Sequence, residues 1–306
     1  MFLTKIRYGF VRLFEDLSNK EDYWHARLMA RTEFPYKELY YLNFTPKSNY
    51  PFKKNNSIPI VEMNGEEMEF SITIFNYGLG LIDELHSNPD NIFHIKNILE
   101  WIFLHQGDDG GWHNDYSISY LSVKPGWSSA MGQGLAISFI YRCYLLNLIS
   151  KDIASEKIEI AKNHMLSDEL SNKTVYGIIL QEFGGASENV LNGYIFAIYG
   201  LYDYALFSGK FDYFDYHISV LKSIIDKYNF VFNWSYYTTT KTIASLFYHQ
   251  LHIDMMYSLH HITKDLFFLK KARFWEKSLR FGYLFIFIKA IQKVLNMSSL
   301  NTINRQ

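Results

Sequence analysis

The chain has 306 residues, a formal net charge of −1 and ordinary apolar content, with 24 tyrosines and 25 phenylalanines. That is enough for one large domain or two modest ones, and too aromatic for a disordered chain. A near-zero charge supplies no global field to draw in nucleic acid or an acidic polymer, so an anionic ligand must be held by local cations. The lone cysteine, Cys143, excludes an intrachain disulfide and a cysteine-based metal cluster.

In chain order, the N-terminal stretch MFLTKIRYGFVRLFEDL carries charges inside every apolar run, so no secretory signal is expected there. Residues 1–70 read as an irregular lead-in packed on the main domain. It holds an amphipathic helix near 5–17 and a candidate short strand at 40–44, with loops broken by Pro46, Pro51 and Pro59.

From residue 71 helical periodicity dominates and comes in pairs: 72–86 with 92–105, 129–148 with 153–170, 189–206 with 211–228, and 246–261 with 266–280. The first helix of each pair is the more apolar; the second carries more charge, as at Glu156, Lys157, Glu159 and Lys162. Helices apolar on all sides belong inside and one-sided helices outside. The pattern predicts an all-α domain over 71–280, an (α/α) toroid of about four helical hairpins, with an open stack of hairpins as the alternative.

Residues 281–306 form a C-terminal helix and tail. The run 281–295 contains Lys289 and Lys293 one turn apart, which suits either an interfacial membrane helix or a terminal helix docked on the body. Docking is the preferred reading, and no segment is long and apolar enough to span a bilayer. The expected compartment is the cytoplasm; peripheral membrane contact through this helix and a homodimer stay open.

The unusual loops precede the apolar helices, at 50–60, 108–127, 180–193 and 229–250. Parallel inner helices would gather them at one rim, the usual place for a site. The second leads into PGWSSAMGQGLAIS at 125–138, where Ser128 or Ser129 can cap a helix whose first turns are slim. Two glycines in a helix cost roughly 1 kcal/mol each. Close packing of another helix, or a groove in which a ligand lies on the backbone, would account for Gly132 and Gly134.

Four stretches carry a resemblance: GGW at 110–112, PGWSSAMGQGLAIS, VLNGYIFAIYGLYD at 190–203 and YHQLHI at 248–253. Over about 58–277, and in the same order, the chain resembles the C-terminal catalytic domain of the D-glucuronyl C5-epimerases of heparan sulfate synthesis. The family carries large β-rich domains ahead of the helical one, and residues 1–70 leave no room for them, so the expectation is the catalytic domain almost alone.

The resemblance implies proton removal from carbon 5 of a uronic acid and its return to the opposite face. It places catalytic tyrosines at Tyr248 and at Tyr237, the latter a choice over Tyr236. Glu182 stands at the acid of a family Glu-Tyr pair, with Phe183 replacing the tyrosine, and Thr240 and Lys241 stand where the family has an arginine. Trp112, Trp127, Gln133, Asn192, Tyr236, His249 and His252 fall in the matched motifs or beside the tyrosines and are the expected substrate-binding residues. Neutralising the uronate carboxylate calls for a cation, and Lys124, Arg142 and Lys241 are nearest in sequence. On the residues alone, Tyr248 could equally be a helix-start aromatic and Tyr237 a strand residue packed on Trp234.

Paired histidines (His249 and His252, then His260 and His261) could bind zinc, but the HExxH and HxxEH arrangements are absent, and no metal is expected. No phosphate-cradling loop occurs, so no nucleotide cofactor is expected. Asp108, Asp109, Asp115, Glu182 and Asp254 would serve a glycoside hydrolase, which needs two flanking carboxylates. A polysaccharide lyase would share the first proton transfer, and a non-catalytic glycan binder would follow if the departures at Phe183 and Thr240 disable the site. The reading that accommodates most of these features is an epimerase, an isomerase of uronate residues in an anionic polysaccharide.

Overall fold

A computed structural model describes residues 22–288 apart from 64, 119–122, 187, 283 and 286. The fold is mostly α-helical and built from helical hairpins, as the periodicity predicts. The chain divides into two compact units, a larger one of Leu28–Lys227 and a smaller one of Met1–Arg27 with Tyr228–Gln306. The helix expected at 5–17 and the end of the C-terminal helix lie outside the described residues.

In the larger unit the helices are α1 (Ser71–Glu84), α2 (Asn91–His105), α3 (Ala130–Leu145), α4 (Lys151–Met165), α5 (Leu191–Ser208) and α6 (Asp212–Ile224). Their pairing follows the sequence: α1 packs on α2, α3 on α4 and α5 on α6. α3 lies between α1 and α5. Nearly every residue of α3 and α5 is buried, whereas α4 and α6 bury one face each. All-round apolarity puts a helix inside and one-sided apolarity puts it outside.

The tightest packing is between α3 and α5. A Cβ built on Gly134 would lie 2.5 Å from the Phe196 carbonyl oxygen and 2.8 Å from Ala197 Cα, and one on Gly200 would strike Gly134 itself. Helix packing therefore accounts for Gly134. Gly132 faces Ser71 and Ile72 at the start of α1 and is buried, so it opens no groove either. Ser129 is the cap, its side chain accepting from the Gly132 N–H at 3.1 Å.

Arg142 does not serve as a substrate cation. It is 1 % exposed and paired with Asp203 at 2.7 Å, and it also donates to the Ser138 and Leu39 carbonyls. Tyr41 donates to the other Asp203 oxygen, and the guanidinium lies over the Tyr40 and Tyr41 rings. A buried charge needs such partners. Its task is to fasten the lead-in at 39–41 to α3 and α5. Asp83 does likewise, pairing with Arg31 at 2.8 Å and accepting from the Tyr40 and Phe44 N–H groups.

Three short antiparallel hairpins were not foreseen: β1 (Lys54–Asn55) with β2 (Ile58–Pro59), β3 (Val61–Met63) with β4 (Glu66–Met68), and β5 (Ser171–Thr174) with β6 (Gly177–Leu180). The strand expected at 40–44 forms only an isolated bridge, Ala30 to Leu42. These ladders are too short for an alternating pattern to show in the sequence.

In the smaller unit, α7 (Leu246–Thr263) pairs with α8 (Leu266–Glu276). Among its described residues the C-terminal segment docks, with Phe285 1 % exposed and stacked on Trp234 at 4.2 Å. Among the described residues no helix is long and apolar enough to cross a membrane.

Candidate active site

The smaller unit carries the two tyrosines. Residues 229–243 fold back twice, with bridges Asn229 to Ser235 and Tyr236 to Ile243. Side chains alternate across extended backbone, so neighbours Tyr236 and Tyr237 part company. Tyr236 packs with Phe230 on the cluster around Trp234, Ile243 and Phe285. Tyr237, whose N–H donates to the Thr242 carbonyl at 2.6 Å, meets Tyr248 instead. The Tyr237 and Tyr248 ring centroids are 4.5 Å apart at 48°, and both side chains are half-buried. Ser245 fixes where α7 begins, accepting from the Tyr248 N–H.

His249 and His252 follow Tyr248 on α7 and are fully buried. His249 stacks on Trp234 at 3.9 Å. Its Nδ1 accepts the Ser235 N–H at 3.1 Å, so Nε2 carries the proton and donates to Ser278 Oγ at 2.8 Å. Burial pushes its pKa down to about 3 and that of His252 well below the usual histidine value. Both imidazoles are neutral parts of the unit's interior with no surface to offer a sugar. Both support the hairpin through Ser235, which also bonds His252 Nδ1 at 2.8 Å, while His252 Nε2 is buried without a partner. Asp254 is ion-paired with Arg27 at 3.0 Å.

The larger unit carries the other expected residues. Trp112 is 2 % exposed and donates its indole N–H to the Ile102 carbonyl. Gln133, fully buried, donates to the Gly110 carbonyl at 3.2 Å and accepts the Trp112 N–H at 3.1 Å. Trp127 donates to the Tyr116 carbonyl, and Phe183 packs against its ring. These three residues of the matched motifs are held in place by hydrogen bonds to the backbone around them.

Glu182 differs. It is 8 % exposed, and no partner is present for Oε2. Burial raises its pKa to about 8, so it holds a proton at neutral pH. Its carboxyl lies over Gly193 in the first turn of α5, where a Cβ would strike it. The neighbouring Asn192 also has a buried Oδ1 without a partner. Two buried polar atoms without partners beside one helix start are a cost that a structure carries for a reason.

A cleft of about 360 Å³ opens elsewhere in this unit, lined by Met68, Glu69, Trp101, His105, Trp112, His113, Asp115 and Tyr116. Aromatic walls with a few polar groups suit a small ligand, but Glu69 and Asp115 make it a poor seat for a carboxylate. Asp115 and Trp112 stood out in the sequence. Glu69, Trp101 and His105 did not, since they come from separate stretches with no shared spacing.

Lys124 and Lys241 are exposed. Lys241 sits on the turn of the hairpin that carries Tyr237, donating its N–H to the Thr238 carbonyl, with φ at 69°.

A family model described as D-glucuronyl C5-epimerase C-terminus matches residues 106–277. That span covers more than half of the chain, including the GGW loop, the slim helix start, Glu182 and both contacting tyrosines. The chain belongs to the D-glucuronyl C5-epimerase C-terminal family.

Proposed function

We propose that this chain inverts carbon 5 of uronic acid residues, glucuronate to iduronate, within an anionic polysaccharide, with Tyr237 and Tyr248 as the two proton carriers. The observation that carries the reading is the contact between these tyrosines. The two stretches they come from are those to which the family resemblance points, and the structure leaves their rings half-exposed against each other.

One tyrosine, as phenolate, takes the carbon 5 proton, and the electron pair moves into the adjoining carboxylate as an enolate-like state. The other, as phenol, returns a proton to the opposite face. The two have then exchanged protonation states, ready for the reverse reaction. Rings 4.5 Å apart leave no room for a sugar between their faces, so the substrate meets them at their hydroxyl ends. Lys241, on the same hairpin, is assigned to the carboxylate, whose charge must be offset for the enolate to form. Glu182, protonated at neutral pH, is the further acid–base group the reading retains.

Incubation with candidate polymers in heavy water, read by NMR, tests this. Deuterium at carbon 5 in an intact chain supports epimerisation. An unsaturated end would mean a lyase, new reducing ends a hydrolase, and no change with any uronate polymer would remove the proposal.

A further inference from the structure

Three side chains of the larger unit converge at the GGW loop: Asp109, His113 and His164, whose ligand atoms all lie within 4.8 Å of one another. The hydrogen bonds around them favour one tautomer of each imidazole. His113 Nδ1 faces the Gly126 carbonyl oxygen at 3.0 Å; a carbonyl only accepts, so Nδ1 carries the hydrogen. In the neutral ring Nε2 then presents a lone pair, and it faces the Asp109 carboxylate at 3.1 Å.

His164 repeats the arrangement from α4. The one proton of the Ser128 hydroxyl goes to the Glu169 carboxylate, 3.1 Å away. With that proton on Glu169, the Ser128 oxygen accepts from His164 Nε2 at 2.7 Å and Nδ1 keeps a lone pair. That lone pair faces Asp109 Oδ2 at 3.3 Å. The carboxylate is itself held by the Gly111 N–H at 3.0 Å.

Two imidazole lone pairs thus converge on one carboxylate, an arrangement of acceptors that repels unless something electrophilic lies among them. A single proton on His113 would satisfy only one of the two contacts. Charging His164 as well is costly, because its side chain is 4 % exposed. One divalent cation would satisfy all three ligands at once. With zinc bonds of about 2.0–2.1 Å in a tetrahedron, ligand atoms sit roughly 3.3 Å apart; the two separations from Asp109 match this at 3.1 and 3.3 Å, and the two imidazoles lie within 4.8 Å of each other.

We infer that Asp109, His113 and His164 form a binding site for a divalent cation of the zinc type. The donor set is two imidazoles and one carboxylate, each imidazole oriented through its far nitrogen by Gly126 or by Ser128 and Glu169, as metal ligands commonly are. The Asp109 and His113 side chains are 49 % and 34 % exposed, so the fourth position faces solvent and is free for water or an anionic oxygen. Bound there, the ion would tie the GGW loop to α4. Histidine spacing in the sequence pointed instead to α7, where His249 and His252 are engaged by Ser235.

The test uses the full chain, stripped with a chelator and titrated with zinc chloride by calorimetry and with cobalt chloride by visible absorption. The expected result is one ion per chain, with the absorption of a low-symmetry cobalt centre. Asp109→Asn and His113→Gln, both on exposed groups, should each weaken zinc at least ~10–100-fold, and Glu169→Gln by a smaller factor. Circular dichroism checks that each variant is folded. Absence of stoichiometric uptake by the parent chain overturns the inference. Uptake that survives unchanged in both ligand variants overturns it equally. Because no substrate is involved, this outcome is independent of the epimerase assay.

Discussion

Tyr237 and Tyr248 touch, their ring centroids 4.5 Å apart, although one comes from a hairpin and the other from the first turn of a helix. Exchanging protons with opposite faces of one carbon needs two groups with independent hydroxyls. Replacing either tyrosine with phenylalanine removes one hydroxyl and keeps the ring contact. Each variant should retain substrate binding and lose epimerisation by roughly 10²–10⁴-fold. The two should differ in what they still exchange with solvent: one the carbon 5 hydrogen of glucuronate, the other that of iduronate. Deuterium uptake on each separate epimer reads this directly. Inversion at the parental rate in both variants would place the bases elsewhere.

Lys241 offers a second prediction, because its conformation and its charge can be separated. At φ 69° a residue with a Cβ is strained, and glycine is not. Lys241→Gly should leave thermal stability unchanged or slightly raised. If the ammonium offsets the uronate carboxylate, the same variant should raise KM and lower kcat. A variant that is both stable and fully active would remove Lys241 from the site.

Glu182 makes a prediction about pH. Its pKa in the folded chain is about 8 against an ordinary 4.5, so between those values the native state holds a proton that the unfolded state has lost. Stability should therefore fall as pH rises through this window, by up to about 1.4 kcal/mol per pH unit for one proton. Glu182→Gln keeps the shape of the protonated form and should flatten that dependence. Urea unfolding of both proteins across the window measures it. Equal slopes would mean that the carboxyl ionises with no penalty.

Much of this was legible in the sequence. Period and polarity marked the helix pairs and separated buried helices such as α3 from one-sided ones such as α4, because burial on all sides calls for apolar or small residues at most positions and a partner for each polar one. The motif stretches led to Tyr237, Tyr248 and Glu182. What was not legible was which polar residue serves the fold. Arg142, His249 and Gln133 look like site residues in a string of letters, yet each is consumed by partners far off in sequence: Asp203, Ser278 and the Gly110 carbonyl. The Asp109, His113 and His164 cluster escaped notice for the same reason, since it unites a loop with a helix that begins well downstream.

The slim start of α3 supplies the last prediction, one in which two neighbouring glycines should behave oppositely. Alanine in place of glycine inside a helix gains up to about 1 kcal/mol from the unfolded chain's lost freedom and from helix propensity. At Gly132 the added methyl would meet Ser129 at 3.4 Å and Ile72 at 3.5 Å, ordinary contacts, so Gly132→Ala should be neutral or stabilising. At Gly134 it would lie 2.5 Å from the Phe196 carbonyl oxygen, and that oxygen belongs to the backbone of α5 and cannot swing aside. The helices would have to separate. Gly134→Ala should therefore cost about 1–3 kcal/mol net of the propensity gain, seen as a lower urea midpoint at unchanged slope. If glycan binding rather than stability responds at Gly134, the close approach of α3 and α5 is not what the glycine is for.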